Sequence, residues 1–526
     1  MMFDVARPPS LATEPAHPLR LGQRLFALGG ILLLGACSLT HSKPLTQEEN
    51  QQRLAADQIA MYDSQEPVSG PISFYEAAAR ALKYNLDYRL KLMEKALAAN
   101  LWDVSTHEML PRIVGTAGYR SRSNDSGGTS IGIEDRQVSL RPSTSEERYR
   151  QIDSLGTSWT LLDFGVAYFR TQQKSDQIYM AEERRRRVAQ NVLQDVRNAY
   201  WRALGAQRLK ADVDQLLVRT QKALDAAQEA EERGLLPRQE VLSYQRALLD
   251  AISLLTVRRQ DLEFAQAELR ALMSLPANAP MILIDGPEPA LPKLVSNMNV
   301  LEQLSLTQRP EIMEEWYRKR VNQADIEIAK SQLWPNMGLD WSLQYDSNQY
   351  LYNNTWTQFG AFMSVNLLKL LQYPALDRSQ ESQGKTDDTR RIALSMAILT
   401  QVRLGVLRYR LACDELAFVD RSLKVDQKLL GYAQAARKTT IGSELEVIRA
   451  EGRYLLSRYQ REAAYSDAQA AWGRLYNSVG LDVLPETLAK DDIATLAAAI
   501  EKTLAEQEQR GIETGITTGE PAIAMH

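Results

Sequence analysis

Side chains that could act as nucleophiles, general bases or metal ligands are few in this chain of 526 residues. It has two cysteines and four histidines, and two of the histidines, His17 and His526, lie near the chain ends. Two cysteines cannot form a disulfide framework. No nucleophile is accompanied by a base and an orienting group in a recognisable pattern. We therefore expect no catalytic site, no metal site and no cofactor, and predict that the protein is not an enzyme.

One cysteine, Cys37, lies in a sequence that suggests covalent modification. Arg20 and Arg24 precede an apolar stretch at residues 25–34, which leads into Leu34-Gly35-Ala36-Cys37. Ten helical residues rise about 15 Å, half of the roughly 30 Å hydrocarbon core of a bilayer, so the stretch is typical of an export signal rather than of a membrane span. A branched residue, two small residues and a cysteine resemble the bacterial lipobox, in which the thiol accepts a diacylglycerol.

This motif predicts where the mature chain begins. We expect an export signal at residues 1–36 and a lipidated N-terminal segment at residues 37–70, with Cys37 as the lipidation site. Ser38, rather than an aspartate, follows the cysteine, which favours sorting to the outer membrane of a bacterium. The alternative is a buried apolar segment with an incidental cysteine.

The charge balance and the hydropathy argue against two classes of protein. The chain has 62 Lys and Arg against 66 Asp and Glu, a formal net charge of −4, so no strong basic field is available to hold nucleic acid. Its mean hydropathy is −0.35, and the lack of an 18-residue apolar run argues against a helical membrane protein. The four arginines at residues 184–187 are interpreted as a solvated helical face.

The chain consists of two similar halves. One alignment of the chain on itself places Leu110-Pro111 on Trp334-Pro335, and a second, with a smaller offset, places Leu269 on Leu475. The smaller offset of the second alignment indicates extra chain in the first half, in the polar stretch 121–151. We predict two repeats, at 71–275 and 300–482, with an equatorial linker at 276–299, an equatorial C-terminal segment at 483–505 and a disordered tail at 506–526.

Each repeat is expected to contain a long helix of coiled-coil character. In the first repeat apolar residues recur in steps of three and four over 192–216, a spacing that is typical of coiled-coil packing. A continuous helix over 166–233 would be about 100 Å long. The segments 73–110 and 239–275 together match that length, so we expect them to stack end to end beside it.

Between these helices the periodicity changes to that of β-strands. In the second repeat every other residue over 337–345 is apolar, and the first repeat shows a weaker version. Strand pairs are predicted at about 112–165 and 336–368, with each strand long enough to cross a bilayer at a tilt. The alternative is two hairpins packed on a soluble core. Four strands cannot close a membrane barrel, so copies of the chain would have to pool strands, and three copies would give twelve.

The order and spacing of these features resemble the TolC-type outer-membrane channel family, in its lipidated efflux branch. The resemblance covers roughly residues 71–482. It rests on the helix-to-strand prolines Pro111 and Pro335, on Leu161-Leu162-Asp163-Phe164-Gly165, and on two turn regions that are each followed by Glu-Val-Leu or Glu-Val-Ile. It implies a mainly α fold with a small β part: a long coiled-coil α-helical barrel and a trimeric 12-stranded transmembrane β-barrel, with four strands per chain.

The resemblance also implies a function and partners. The expected protein is a homotrimer in the bacterial outer membrane, lipid-anchored, with its helical tunnel in the periplasm. It would passively conduct substrates that an inner-membrane pump delivers through a periplasmic adaptor protein. The alternatives are the channel of a type I protein secretion system and, in a different class, a non-channel periplasmic coiled-coil lipoprotein scaffold.

In this family the turns at the periplasmic tip contact the adaptor, and acidic rings hold the tip closed. Matched onto this chain, the adaptor-contact candidates are Gly234 and Gly442, and the gate candidates are Glu444 and Glu446. Arg449 stands where a second acid often occurs, which departs from the pattern of a double acidic ring. The alternative role for both glutamates is that of first-turn acids favoured by the helix dipole.

Overall fold

The computed structural model describes residues 44–62, 65–138, 141–233, 237–276, 279–294, 297–438, 444–482 and 492–510. The predicted export signal, the lipidation site Cys37 and the two turn glycines, Gly234 and Gly442, lie outside these residues. The chain divides after Ser64 into two units, which are described separately.

The first unit contains one described helix, α1 (Gln47–Tyr62). It begins with a reciprocal cap. The Glu49 N–H donates to Thr46 Oγ1 at 3.2 Å, and the Thr46 N–H donates to the Glu49 carboxylate at 2.9 Å. None of its residues is buried.

The second unit contains two repeats with the same order of elements, which confirms the predicted duplication. The first repeat comprises α2 (Phe74–Tyr84), α3 (Leu86–His107), β1 (Arg112–Ser121), β2 (Tyr149–Thr160), α4 (Leu161–Glu232) and α5 (Arg238–Leu272). The second comprises α6 (Met298–Gln308), α7 (Pro310–Ser331), β3 (Asn336–Asp346), β4 (Thr355–Ser364), α8 (Tyr373–Lys438) and α9 (Glu444–Val479). A 3₁₀ helix (Leu367–Gln372) precedes α8, and α10 (Ile493–Arg510) ends the described chain.

The two long helices are α4, with 72 residues, and α8, with 66, so they extend about 108 Å and about 99 Å. Helix α4 contacts α3 and α5 on one side and α7 and α9 on the other, and α8 contacts α7 and α9. The shorter helices therefore lie end to end beside the long ones, as predicted. The apolar residues of the first repeat that step through 192–216 are buried, which confirms the coiled-coil prediction: Val192, Val196, Ala199, Ala203, Ala206, Leu209, Val213 and Leu216.

The prediction of one helix over 73–110 is wrong at Asn85, where the backbone is extended with φ −61° and ψ 123°. The Asn85 N–H donates to the Ala81 carbonyl, and its side-chain oxygen accepts from the Tyr88 N–H at 3.0 Å. One residue thus ends α2 and caps α3. In the second repeat Arg309 has this position, and Pro310 begins α7, where a missing N–H loses no helical hydrogen bond.

The junctions between stacked helices use backbone conformations that few residues adopt. Helix α9 ends before Gly480, whose φ is +83°, and a Cβ there would lie 2.6 Å from the Cα of Arg309. The equivalent residue of the first repeat, Ser274, also has a positive φ, of +56°. Its Oγ donates to the carbonyl of Tyr84 at 3.1 Å. The turn after α5 thus lies against the junction of α2 and α3, and the turn after α9 lies against the junction of α6 and α7.

The four strands form one antiparallel sheet in the order β1-β2-β3-β4. Two hairpins supply the strand pairs, and the pairing of β2 with β3 joins the two repeats. Strand β2 ends at Thr160, and Leu161 already begins α4. The long helix therefore starts earlier than the predicted residue 166.

The largest described core lies where α2, α4 and α10 meet. Phe74 packs edge-on against Tyr200, with ring centroids 5.7 Å apart, and Ile500 of α10 is fully buried in the same cluster. Helix α10 continues to Arg510. Residues 506–510, which the sequence assigned to a disordered tail, are therefore helical, and the rest of that tail lies outside the described residues.

The four consecutive arginines of α4 do not form a solvated face, contrary to the expectation. Arg184 and Arg187 contact Glu314 of α7 at 2.7 and 3.5 Å. Hydrogen bonds from Arg185 hold the pKa of Glu182 at about 2. Because successive helical positions point about 100° apart, four adjacent arginines cannot share one face, and part of the run joins α4 to α7.

Candidate functional site

One face of the sheet is apolar. Side chains directly opposite one another in adjacent strands lie on the same face, and Trp341 of β3 stands opposite Thr157 of β2 and Phe359 of β4. Following this register across the sheet gives one set of exposed apolar side chains: Ile113, Tyr119, Leu155, Trp159, Met337, Leu339, Trp341, Leu343, Tyr345, Phe359 and Met363. The alternation predicted over 337–345 therefore extends across the sheet, with Gln151 and Asp153 of β2 as polar members of this face.

The opposite face of the sheet is polar. Asp340, Ser342 and Gln344 alternate with the apolar residues of β3 and are half-buried. The hydroxyls of Thr116 and Ser154 lie 2.6 Å apart on this face. Polar side chains on adjacent strands therefore contact one another there, as on the lumenal side of a small barrel.

Phe362 is a large apolar side chain on the polar face. Its partner in register is Gly338, and a Cβ at that position would lie 2.4 Å from the Phe362 ring. The ring therefore lies against the backbone of β3 at the glycine. A larger residue at 338 would push the ring away from the sheet.

The sheet is open at both ends in the part of the chain that the structure describes. Strands β1 and β4 are its outer strands, and each pairs with one neighbour. An outer strand presents unpaired N–H and C=O groups, which readily pair with a strand of another chain.

Helices α3, α4, α7 and α8 contact one another in that order and form a row. The two outer helices of the row, α3 and α8, carry exposed apolar stripes. The stripe of α3 recurs in steps of three and four: Leu86, Leu90, Met93, Leu97, Leu101 and Val104. The stripe of α8 has steps of three, four, seven and eight: Ile392, Met396, Leu404, Leu407, Leu411, Phe418, Val425, Leu429 and Tyr432. This spacing is typical of coiled-coil seams that face a partner helix.

Helix α8 is apolar on a second side as well. Val402 and Val406 are buried against α6 and α9. Because both sides are apolar, the segment 367–438 is long and apolar enough to cross a membrane by composition alone. The sequence had been expected to contain no segment of this kind. Such a helix is weak evidence for a span, and here the composition follows from the two packing sides.

The end of α4, the end of α8 and the start of α9 meet in a cluster of four charged side chains, the tip cluster. The Arg219 Nε of α4 donates to Oε1 of Glu444 at 2.8 Å, and Arg437 of α8 lies 2.7 Å from the other carboxylate oxygen. Arg219 also reaches Glu451 of α9 at 2.6 Å. Burial and, after it, the charge of Glu444 raise the pKa of Tyr244 on α5. The Glu444 carboxylate is thus paired with two guanidinium groups.

The other gate candidate, Glu446, is exposed in the first turn of α9, and Arg449 is exposed one turn later. Both candidates lie in that first turn, where the helix dipole favours acids. The structure therefore places Glu444 and Glu446 close together in sequence but in different surroundings, one between arginines and one at the surface.

Comparison with known proteins supports the family expected from the sequence. Residues 80–274 match the family model described as Outer membrane efflux protein. Over these residues the chain is similar to outer membrane efflux proteins. No curated protein sequence matches it.

The fold of this protein is shared by solved outer-membrane channels of low sequence identity. The Campylobacter jejuni CmeC outer membrane channel superposes with a TM-score of 0.62 at 11% identity, covering 85% of this chain and 94% of that one. The open state of the Neisseria gonorrhoeae MtrE outer membrane channel superposes with a TM-score of 0.58 at 13% identity, covering 77% of this chain and 88% of that one. CusC, whose structures were described in relation to folding and transmembrane channel formation, superposes with a TM-score of 0.57 at 17% identity, covering 80% of this chain and 96% of that one. These likenesses support the mainly helical fold with a small antiparallel sheet.

The sequence did not identify the partners of Glu444. Arg219 and Arg437 come from helices whose position relative to α9 only the tertiary structure gives. One signal was available: Glu444 and Glu451 are one heptad apart, which places both on one side of a helix. That spacing indicates a shared cationic neighbour.

Proposed function

We propose that this protein is the outer-membrane channel of a tripartite efflux system. The observation that carries the proposal is the four-stranded sheet with one apolar face and two open ends. The unpaired N–H and C=O groups of an outer strand are not tolerated in lipid, so another copy must supply the next strand. Three copies would close a barrel of twelve strands, with the apolar face toward lipid and the polar face lining the pore.

The apolar stripes support the same assembly. Helix α3 and, stacked end to end with it, α5 lie at one end of the row of helices and α8 lies at the other, so the α8 stripe of one copy can pack against α5 and α3 of the next. A head-to-tail contact of this kind closes into a ring when the rotation is right. A periplasmic scaffold would need the stripes but would have no use for a sheet with a wide apolar face.

We infer that the tip cluster belongs to the gate. In Glu444→Gln, Arg437 loses its carboxylate partner and Arg219 keeps only Glu451, so the two arginines are less well balanced and the tip should open more often. The contacts are about one-third exposed, so the change is about 1 kcal/mol, or roughly fivefold in an open–closed equilibrium. Single-channel recording of the purified protein in planar bilayers would show a larger mean conductance and a weaker preference for cations.

Glu446→Gln is the matched variant for that experiment, because it removes the same charge from the same helical turn without removing the tip cluster. An equal effect of both variants would assign the gate to the summed charge rather than to the arginine contacts. Recordings like those of the unmodified channel for both variants would remove the two glutamates from the gate, and a purified protein that conducts nothing would contradict the channel itself.

We propose that the tip also contacts a periplasmic adaptor protein through the turns at Gly234 and Gly442, and that an inner-membrane pump supplies the substrate. A photo-crosslinking residue at position 442 should capture an adaptor in intact cells. The same residue at position 249, on the exposed side of α5, is the control, and capture from both positions alike would argue against a specific tip contact.

We propose that Cys37 carries the lipid that anchors the N-terminus in the outer membrane. In Cys37→Ser the thiol that accepts the diacylglycerol is missing, so mass spectrometry should find no lipid on the fragment that contains position 37. The channel should still fractionate with the outer membrane, because one lipid anchor adds little to the burial of a barrel. Complete loss of membrane association would show that the lipid, rather than the barrel, supplies the anchoring.

A further inference from the structure

A pocket of about 350 Å³ lies where α9 ends and α7 begins, between α4 and α8. Three arginines line it, Arg309 at the start of α7, Arg408 of α8 and Arg474 of α9, and none of its ten lining residues is Asp or Glu. All four elements belong to one chain, and Leu404, which also lines the pocket, belongs to the α8 stripe, so in the proposed assembly the pocket borders the next copy. We call it the arginine pocket.

The positive charges of the arginine pocket are incompletely balanced. Arg309 Nε donates to Glu311 at 2.9 Å, but its Nη1 is buried and has no acceptor among the described residues. Arg474 Nε makes only a long contact of 3.4 Å with the backbone carbonyl of Ala470. Among the described residues neither Arg408 nor Arg474 forms an ion pair, and the charge of Arg474 acts at longer range on Asp467 of the same helix. Guanidinium donors thus face a cavity that offers them no anion.

The first repeat provides an internal comparison for this charge. The alignment that places Leu269 on Leu475 also places Arg202 on Arg408 and Glu268 on Arg474. In the first repeat these two side chains form an ion pair, with Arg202 Nη1 2.8 Å from Glu268 Oε2. The second repeat keeps the arginine and replaces its acidic partner with another arginine.

Two further positions of the arginine pocket are also more positive in the second repeat than in the first. Gln401, which also lines the arginine pocket, corresponds to Asp195 in this alignment, and Arg309 corresponds to Asn85 in the alignment that pairs the two helix-to-strand prolines. The first repeat therefore has two acids and one arginine where the second has three arginines and no acid.

We propose that the arginine pocket binds a small oxyanion, a molecule or ion that carries a phosphate or carboxylate group. The planar guanidinium group presents paired donors that match the oxygen atoms of both groups. The volume is at the lower end of the range of small-molecule sites, which fits an anion of a few heavy atoms. A bound anion would join α7, α8 and α9 at the point where the two stacked helices meet.

The test is a titration of the purified full-length channel in detergent. Inorganic phosphate and, separately, citrate are added at constant ionic strength, with chloride as the balancing anion, and the heat of binding is measured. We expect saturable binding of at least one of them, with one site per chain, and a rise in the melting temperature that follows the occupancy. The two arms distinguish a phosphate site from a carboxylate site, and neither arm depends on conduction.

Arg474→Glu restores the charge pattern of the first repeat and should weaken binding at least about tenfold, because the new glutamate would pair with Arg408. Arg410→Glu is the control, since it makes the same charge change on an exposed residue of α8 outside the pocket, and it should bind as the unmodified protein does. Arg408→Gln removes a donor without adding an acid and should also weaken binding. It provides the test if Arg474→Glu fails to fold.

No saturable binding of either anion to the unmodified channel would overturn the proposal. Equal weakening by Arg474→Glu and Arg410→Glu would also overturn it, because the effect would then come from net charge alone. Circular dichroism and the size of each variant show whether it has kept its fold and assembly.

Discussion

Leu343→Arg should prevent the protein from assembling in the outer membrane, whereas Gln344→Arg, at the next position along β3, should be tolerated. Leu343 lies on the apolar face of the sheet and Gln344 on the polar face. An arginine near the middle of a lipid-facing strand is destabilising by about 2–4 kcal/mol per chain, and every copy in an oligomer carries the change. On the polar face the same side chain would extend into water. Outer-membrane fractionation and heat-modifiable migration in gels measure the result.

The two variants form a matched pair because they add the same side chain to neighbouring positions of one strand. If the sheet instead packed on a soluble core, Leu343→Arg would yield a soluble but destabilised protein. Equal tolerance of both variants would contradict a lipid-facing role for the apolar face.

Leu411→Glu should leave the helical fold intact and abolish the assembly. Leu411 is 58% exposed in the single chain, so it contributes little to packing within that chain. In the proposed assembly it lies in the centre of the α8 stripe, where a leucine is expected to contribute about 1.5–3 kcal/mol by burial and a glutamate would bury a charge. Light scattering of the detergent-solubilised protein should show monomers, with an unchanged helical signal in circular dichroism.

Leu429→Glu tests whether the whole α8 stripe takes part, because it makes an equivalent change closer to the tip, where Leu429 is 45% exposed. A graded weakening along the stripe is the expected pattern. Trimers that persist in both variants would show that the α8 stripe is not a contact between copies.

The sequence was sufficient to predict the features that depend on periodicity. The apolar face of β3 follows from a repeat of two, the buried seam of α4 follows from steps of three and four, and the duplication explains why the second repeat has the same elements. Periodicity was insufficient at the helix junctions. Asparagine is compatible with a helix, so Asn85 alone did not reveal the break. However, the alignment of the two repeats places it on Arg309, directly before Pro310, and that proline was a usable signal.

Contacts between distant segments could not be predicted from local pattern. Arg219 and Glu444 lie far apart in the sequence and are joined by a hydrogen bond of 2.8 Å. The heptad spacing of Glu444 and Glu451 indicates a cationic neighbour but does not identify it as Arg219. The arginines at 184–187 are a different case. Their consecutive placement already excludes a single solvated face, so the physical argument was available in the sequence. The predictions for Cys37, Gly234 and Gly442 stay predictions.

The resemblance between the two halves of the chain is incomplete, and this limits the symmetry of any ring that it builds. In the proposed trimer six similar sectors surround the axis, and sectors next to each other differ in surface chemistry, as Arg474 and Glu268 illustrate. A neighbour that docks against the outer wall therefore meets two kinds of groove in alternation. It must either recognise one kind and bind at every second groove, or present two distinct sets of contacts from the same surface.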